Sequence, residues 1–335
     1  MNRRHRQCLI FVFLTFISTI IFSNLSSTRI SRPSRPYRAC IGSLIRSDDL
    51  VSLNKLMNML NSLKVFFVDL NLYPIYLFHE STLTNETKET IVRCSALSNL
   101  NFYEISFDIP FASNRSGYAS MCKFWSYDIW FKYQLVHDRC DYFMRFDDDS
   151  YLINSTSINL FDKFHREQLD FVYRVVYHDT NGLEFLQENL RNFLSTNQTR
   201  KGCIESLCSM LNGNPGYDGL AIYNNFFLIR VQLFYEYTIV KQYLEQLLVK
   251  NAFYEHRIGD ANIQTISLLL IEKPLKIKFW PFAYNHNIHG SSTAHATFIY
   301  FHHAAFMWYF TLKLPNATCR KLVMATNHGV IDLYL

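Results

Sequence analysis

The stretch YFMRFDDDSYL, residues 142–152, places three consecutive aspartates directly after a run of apolar residues that contains one arginine. The apolar run is typical of a buried strand, and Asp and Ser are common where a strand gives way to a turn. The aspartates can therefore be turn residues that satisfy nearby backbone groups. Three adjacent carboxylates repel one another, however, so the cluster is most stable when a cation lies between them. The stretch alone leaves both interpretations open.

The residues around this stretch alternate between strand-like and helix-like segments. The predicted strands cover residues 39–45, 73–80, 100–107 and 141–146. The predicted helices are one with Asp48 and Asp49 in its first turn, one at 85–93 and one at 121–136. Ser47 is the expected N-cap of the first helix. The alternation predicts an α/β domain with a mixed, mostly parallel sheet flanked by helices. Ligands bind beyond the carboxyl ends of such strands, where Arg46 and the aspartates lie, and this position favours a metal site.

Composition and charge limit the classes of function. Of the 335 residues, 49% are hydrophobic and 18% are charged, which is typical of a globular protein with a substantial core. The net charge of +5 comes from arginines before residue 39, and the remainder is nearly balanced. No run of basic residues interleaved with aromatics occurs, so we predict no nucleic-acid partner. The sequence does not indicate an oligomeric state.

The N-terminus predicts a membrane anchor. Three arginines within residues 1–7 precede an apolar run at 8–25, which is about the length of a short transmembrane helix. Basic residues before a span stay in the cytosol, so we predict a type II signal anchor with a short cytosolic tail. A cleaved signal peptide is the alternative. A stem at 26–38 and one lumenal domain at 39–335 would follow the anchor.

Sequons and cysteines favour a lumenal domain as well. Sequons of the Asn-x-Ser/Thr type lie beyond the anchor at Asn85, Asn114, Asn154, Asn197 and Asn316. The seven cysteines in the same region lack the close pairs of a zinc site. We therefore predict a few disulfides, with at least one cysteine left over because the number is odd.

Clustered acids at a strand end, on an α/β sheet in the secretory lumen, suggest a nucleotide-sugar glycosyltransferase. In that chemistry a divalent cation bridges the carboxylates and the donor diphosphate, and it neutralises charge on the leaving nucleotide. Oxygen ligands suit Mn²⁺ or Mg²⁺, and one histidine ligand would favour Mn²⁺. A secreted metal-dependent hydrolase is a weaker alternative, because neither H-E-x-x-H nor G-x-S-x-G is present.

Six blocks of sequence occur in the order of a known family: ACIGSLIRSDDL, YPIYLFHESTLTNETKE, GYASMCKFWS, YFMRFDDDSYL, AFYEHRIGDA and FAYNHNIHG. Through these blocks, from about residue 39 to about residue 290, the chain resembles the fungal Golgi α-1,2-mannosyltransferases. The resemblance implies a GT-A-like fold, GDP-mannose as donor, a mannose-containing glycan as acceptor and Mn²⁺ as cofactor. It also implies a single-pass type II protein of the Golgi membrane.

The resemblance implies a set of metal ligands. Asp147 and His286 fall on the family's metal-binding acid and histidine. Asp149 stands where GT-A enzymes present a second ligand to the metal or to the ribose. Asp148, between the two acids, is expected to be a turn residue only. Without the resemblance, His286 would be interpreted as an ordinary surface or core histidine.

Further residues are implied in substrate binding and catalysis. Arg46 falls on the family's guanine-nucleotide arginine, Lys123 replaces an arginine near the phosphates, and Asn225 is assigned to donor binding. Tyr118 falls on a tyrosine that lines the donor site. Asp260 falls in the acceptor region, where a base could take the proton of the acceptor hydroxyl. The ordinary alternatives are a core aromatic for Tyr118 and a helix cap for Asp260.

One departure from the family concerns its candidate nucleophile. The block YNNFFLIRVQLF resembles the family's S-N-F-E stretch, and the glutamate falls on Phe227. A phenylalanine cannot attack the sugar or stabilise positive charge. Either retaining transfer proceeds on the front face, with the leaving phosphate assisting the acceptor, or the chain is a catalytically impaired relative that binds nucleotide or glycan. A different donor or acceptor is a third alternative, because Ile258 and Asn262 replace the family's Trp and Pro.

Overall fold

Nine strands and eleven helices make up the part of the chain that the computed structural model describes, residues 35–45, 49–108, 116–196, 217–271 and 273–286. The strands are β1 Ala39–Leu44, β2 Ile75–His79, β3 Leu100–Glu104, β4 Tyr142–Phe146, β5 Ser150–Leu152, β6 Phe171–His178, β7 Leu220–Arg230, β8 Ile277–Phe279 and β9 Tyr284–His286. The helices are α1 Leu50–Phe66, α2 Asn85–Ser95, α3 Ser116–Lys123, α4 Ile129–Phe131, α5 Leu135–Arg139, α6 Leu160–Glu167, α7 Leu183–Thr196, α8 Leu233–Glu236, α9 Thr238–Val249, α10 Ala252–Glu255 and α11 Asp260–Leu269.

Seven strands form one mixed sheet in the order β3-β2-β1-β4-β7-β6-β8. All neighbours pair in parallel except β7, which runs antiparallel to both β4 and β6. Helices α1 and α2 form the crossovers between the first three strands, as parallel pairing requires. The prediction of a mixed, mostly parallel sheet flanked by helices is confirmed. A second, two-stranded sheet pairs β5 with β9, with Ser150 opposite His286.

Alternate residues of β4 and β7 supply a hydrophobic core on each face of the large sheet. Phe143 and Phe227 belong to the core on one face, and Met144 and Phe226 belong to the core on the other. Because both faces are covered, the strand sequence is a nearly continuous apolar run. Gly42 in β1 is required by this packing, since a Cβ at that position would overlap the ring of Phe143.

The first helix is capped by a different residue from the one predicted. Asp49 is the N-cap of α1, and its Oδ1 accepts hydrogen bonds from the backbone N–H of Val51 at 2.8 Å and of Ser52 at 3.0 Å. The predicted cap, Ser47, lies outside the described residues. An aspartate in the N-cap position also places its charge at the positive end of the helix dipole.

The long helix predicted at residues 121–136 begins earlier and is interrupted. It starts as α3, passes through a π-helical turn at Phe124–Asp128 and ends with α4. The backbone N–H groups of Lys132 and Tyr133 both donate to the Asp128 carbonyl at 2.9 Å, which ends the regular helix. The wider turn buries Phe124 inside the core.

A disulfide and a free thiol match the cysteine predictions. Cys40 in β1 and Cys140, directly after α5, form a disulfide that links the starts of neighbouring strands. Cys122 in α3 is a buried free thiol. The described residues from Tyr37 onward form one compact unit.

The predicted tail and anchor, residues 1–25, lie outside the described residues, as does most of the stem. Among the helices that the structure describes, none combines the length and the apolar character needed to cross a bilayer.

Candidate metal centre and cleft

A cleft of about 670 Å³ opens at the carboxyl edge of the large sheet. Strands β1, β2, β4 and β6 contribute residues from their carboxyl ends. Strand β7 contributes from its amino-terminal half because it runs in the opposite direction. The lining residues on or just after these strands are Leu44, Ile45, Glu80, Arg145, Asp147, Asp149, Tyr177, Tyr223, Asn224 and Asn225. This is the edge at which open α/β sheets bind their ligands.

Asp147, Asp149 and His286 meet in this cleft. Their potential ligand atoms all lie within 4.8 Å of one another. A turn after β4 directs both aspartates to the cleft, and it is closed by a hydrogen bond from the Ser150 N–H to the Asp147 carbonyl at 3.0 Å. Asp148 is buried but is not one of the residues that line the cleft. The structure therefore brings His286 to the two aspartates, although it lies far from them in the sequence.

Tyr223 holds the ring of His286. The tyrosine Oη lies 2.9 Å from His286 Nδ1, and His286 Nε2 lies 2.9 Å from Asp149 Oδ1. Burial raises the pKa of Tyr223 to about 12, so the hydroxyl stays protonated at neutral pH. A tautomer that donates from Nδ1 to the Tyr223 oxygen leaves the Nε2 lone pair for a cation. No local pattern in the sequence indicates this contact.

Arg145 is buried, with 2% of its surface exposed, and it binds two carboxylates. Its Nε and Nη2 donate to the two oxygens of Asp147 at 2.7 and 3.1 Å, and its Nη1 donates to Asp260 Oδ2 at 2.5 Å. The guanidinium also lies 4.3 Å from the centroid of the Trp125 ring. Burial alone lowers the pKa of Arg145, but Asp147 and Asp260 raise it more, so the group remains charged. The signal in the sequence is an arginine within an apolar strand, which needs acidic partners when buried.

The donor set fits a divalent cation. Two carboxylates and one imidazole suit Mn²⁺. Each oxygen of Asp147 accepts one hydrogen bond from Arg145 and has a further lone pair that can bind a cation. The Asn225 carbonyl accepts from the Asp147 N–H at 3.1 Å, while its side-chain Nδ2 is buried with no hydrogen-bond partner within the described chain. An unused buried donor beside the carboxylates fits a polar ligand in this cleft.

The other predicted site residues divide into three groups. Tyr118, which is 46% exposed, and Asp260 both line the cleft. Lys123 does not line it: its Nζ binds the carboxylate of Asp128 at 2.7 and 2.9 Å. Lys123 therefore lies outside the cleft with Asp128 of the π-helical turn as its partner, and its place near the phosphates stays a prediction. Arg46 lies outside the described residues.

Phe227 lies in the core rather than in the cleft. Its side chain is 0% exposed, and its ring stacks on that of Phe171 with 5.6 Å between the centroids. In the sheet it lies opposite Arg145. No ionisable side chain therefore occupies the position on which the glutamate of the resembled family falls.

Solved structures of two fungal mannosyltransferases share this architecture. Core-mannan synthase A from Aspergillus fumigatus, in its Mn/GDP form, has a TM-score of 0.63 and 17% identity over 78% of this chain and 76% of its own. The mannosyltransferase Ktr4p from S. cerevisiae has a TM-score of 0.62 and 17% identity over 76% of this chain and 73% of its own. The GDP complex of Ktr4p has a TM-score of 0.60 and 15% identity over 75% of this chain and 71% of its own.

No known family matches the chain by its sequence profile, and no curated protein matches it in sequence. At such low identities the structural likeness shows the fold alone. The mixed α/β architecture fits the predicted GT-A-like fold.

Proposed function

We propose that the chain is a glycosyltransferase that moves mannose from GDP-mannose to a hydroxyl group of a mannose-containing glycan, with Mn²⁺ as its cofactor. The observation that carries the proposal is the meeting of Asp147, Asp149 and His286 in a cleft at the carboxyl edge of the sheet. The Mn/GDP form of a fungal mannan synthase with the same fold supports it. The α-1,2 linkage and retention of configuration belong to the proposal through the resemblance in sequence.

The protein's own residues prepare the metal centre. Asp147, Asp149 and His286 would hold the cation, which when bound neutralises the diphosphate and the charge that develops on the leaving nucleotide. Arg145 fixes the orientation of the Asp147 carboxylate through two hydrogen bonds. Tyr223 fixes the His286 ring. Asp147 and His286 are therefore oriented before the cation binds, which lowers the free-energy cost of cation binding.

Transfer without a nucleophile on the protein requires the acceptor to attack from the same face as the leaving group. The acceptor oxygen forms the new bond to the anomeric carbon while the bond to the GDP phosphate breaks. The acceptor proton passes to the leaving phosphate. Asp260 and Tyr118 line the wall beside this reaction. Because Asp260 already accepts a hydrogen bond from Arg145 at 2.5 Å, we expect it to orient groups rather than to act as the base.

The buried Phe227 favours a second candidate function. A chain that keeps the metal ligands but lacks a carboxylate at residue 227 can bind nucleotide or glycan as a partner protein without transferring a sugar. A transferase for a different donor or acceptor is the remaining alternative. GDP binding is common to the partner protein and to the mannosyltransferase, so only a measurement of transfer distinguishes them.

The test follows GDP release from GDP-mannose by the purified full-length chain, with methyl α-mannoside as acceptor. Mn²⁺ is compared with chelator, and Asp149→Ala serves as the inactive variant. We expect acceptor-dependent release that disappears with chelator and in the variant. GDP binding without release would support the partner protein or a different sugar. If GDP does not bind even with Mn²⁺, the proposed function is wrong.

We also propose that the chain is anchored in the Golgi membrane as a single-pass type II protein with its large domain in the lumen. The apolar run behind a basic tail supports the anchor. The Cys40–Cys140 disulfide supports an oxidising compartment, and the sequon residues Asn85 and Asn154 are both exposed. In sealed microsomes we expect the domain to be protected from added protease. Treatment with a glycosidase should lower the apparent mass of the protein.

A further inference from the structure

We propose that Asp179 is an acceptor-binding residue whose free carboxylate oxygen accepts a hydrogen bond from a hydroxyl group of the sugar acceptor. The inference rests on the proposed function and places the acceptor at the wall of the cleft that Tyr118 and Asp260 form. Asp179 directly follows β6, at the carboxyl edge of the sheet, two residues after the cleft residue Tyr177. Nothing in the sequence pattern singled it out.

One half of the Asp179 side chain is fixed by its own loop. Oδ1 accepts hydrogen bonds from the Asn181 backbone N–H at 3.0 Å and from Asn181 Nδ2 at 2.7 Å. The Asp179 N–H donates to the Gly219 carbonyl at 2.9 Å. Only 8% of the residue is exposed. These contacts hold the carboxylate in one orientation without using Oδ2.

The second oxygen faces a space that a glycine keeps open. Oδ2 accepts no hydrogen bond from any described residue, and it is not one of the fully enclosed polar atoms, so it retains contact with solvent. It lies 3.0 Å from the point that a Cβ of residue 259 would occupy, and Tyr118 Oη lies 3.5 Å from the same point. Gly259 has φ −81°, which any residue can adopt, so the glycine matters here for space rather than for conformation.

Asp260, the other carboxylate of this wall, has no comparable unused oxygen. Its Oδ2 accepts from Arg145 at 2.5 Å, and its Oδ1 accepts from the Cys122 thiol at 3.8 Å. Asp179 is therefore the carboxylate with a free acceptor beside Tyr118. A largely buried carboxylate without its full set of hydrogen bonds gains from a donor supplied by a ligand.

The charge of this wall defines the class of ligand. Asp179 and Asp260 both lie close to the Tyr118 hydroxyl, whose pKa is raised by burial first and by the charge of Asp260 and Asp179 in addition. An anionic ligand such as the donor diphosphate would be repelled here, whereas a neutral polyol offers the hydroxyl donors that the carboxylate needs. The geometry thus favours an uncharged sugar beside Asp179, Asp260 and Tyr118.

The main test is Asp179→Asn in the full-length chain. An asparagine oxygen can still accept from Asn181, so the loop is kept while the free carboxylate oxygen becomes an amide donor. We expect the KM for methyl α-mannoside to rise about 10- to 100-fold, the range for losing a hydrogen bond to a charged group. GDP affinity with Mn²⁺ should stay unchanged.

Two further variants separate recognition from structure. Asp218→Asn is the matched control, because Asp218 Oδ1 also accepts from a backbone N–H two residues later, at 2.8 Å from Leu220 N, and it should leave the KM unchanged. Gly259→Ala fills the space beside Oδ2 with a methyl group and should raise the KM as Asp179→Asn does. The inference is wrong if both Asp179→Asn and Gly259→Ala keep the wild-type KM.

Binding of methyl α-mannoside, followed by saturation-transfer NMR with GDP and Mn²⁺ present, separates this inference from the proposed function. If the wild-type protein binds the sugar but does not release GDP, transfer fails while the acceptor site can still be tested. Asp179→Asn should then lose the saturation-transfer signal. An equal signal from both proteins, or none from the wild type, would overturn the inference.

Discussion

Strands β4 and β7 pair at the centre of the sheet, and two residues that lie opposite each other in this pair have different roles. Arg145 on β4 lies opposite Phe227 on β7. Arg145 connects two carboxylates at the floor of the cleft, whereas Phe227 packs into the aromatic core behind it. The two aspartates of the candidate metal centre are thus positioned by β4 and its turn, and His286 is held by Tyr223, whereas residue 227 faces the core. We therefore expect cation binding to be independent of residue 227.

The largest effect is expected for Arg145→Met, which removes the buried guanidinium on β4. Asp147 and Asp260 would lose their buried partner, so the free energy of unfolding should fall by about 3–5 kcal/mol. Denaturant unfolding at neutral pH measures this change. Arg38→Met is the control, because Arg38 forms an exposed pair with Asp141 whose loss should cost at most about 1 kcal/mol. Equal losses in the two variants would contradict the role of Arg145.

An intermediate effect is expected for Tyr223→Phe, which removes the hydroxyl that holds His286. We expect Mn²⁺ affinity to fall about 10-fold with little change in stability, because the histidine ring loses its fixed orientation. Titration with Mn²⁺ measures the affinity. Tyr177→Phe is the matched control, since that ring packs edge-on against Tyr223 at 5.0 Å and its hydroxyl has no hydrogen bond to His286 in the described structure. If both variants bind Mn²⁺ as the wild type does, Tyr223 does not support the ligand.

The smallest effect is expected for Phe227→Leu, which tests whether the buried aromatic ring on β7 takes part in sugar transfer. A core substitution of this kind should cost about 1 kcal/mol, and transfer, measured as GDP release, should stay within about twofold. Phe171→Leu, in the stacked neighbour, should behave in the same way. A loss of transfer in Phe227→Leu alone would show that position 227 takes part in the reaction.

Much of the fold could be predicted from local sequence because strands β1 to β4 are apolar runs separated by turn residues and helices. The direction and place of β7 could not, since its pairing with β4 and β6 depends on contacts between distant segments. The bounds predicted for the helix at residues 121–136 were wrong. A π-helical turn interrupts this helix, and the turn buries the side chains of Phe124 and Trp125. Periodicity alone does not indicate such a turn.

The site was predictable only in part. Asp147 and Asp149 follow from one short stretch, whereas His286 depended on a resemblance across the chain. The Arg145–Asp260 pair joins residues 115 positions apart, so no spacing rule could find it. Lys123 shows the converse, since the resemblance in sequence puts it near the phosphates, whereas in the structure it lies outside the cleft and pairs with Asp128.

The most direct test of the central claim, that the carboxylate turn after β4 is a metal centre, is electron paramagnetic resonance of Mn²⁺. The six-line signal of the free ion is recorded with GDP and either the wild-type chain or Asp149→Ala, after both are shown to be folded. We predict that the wild-type protein removes the free-ion signal and that the variant leaves it largely intact. Equal removal by both proteins, or by neither, would contradict the claim and return the three aspartates to the role of an ordinary turn.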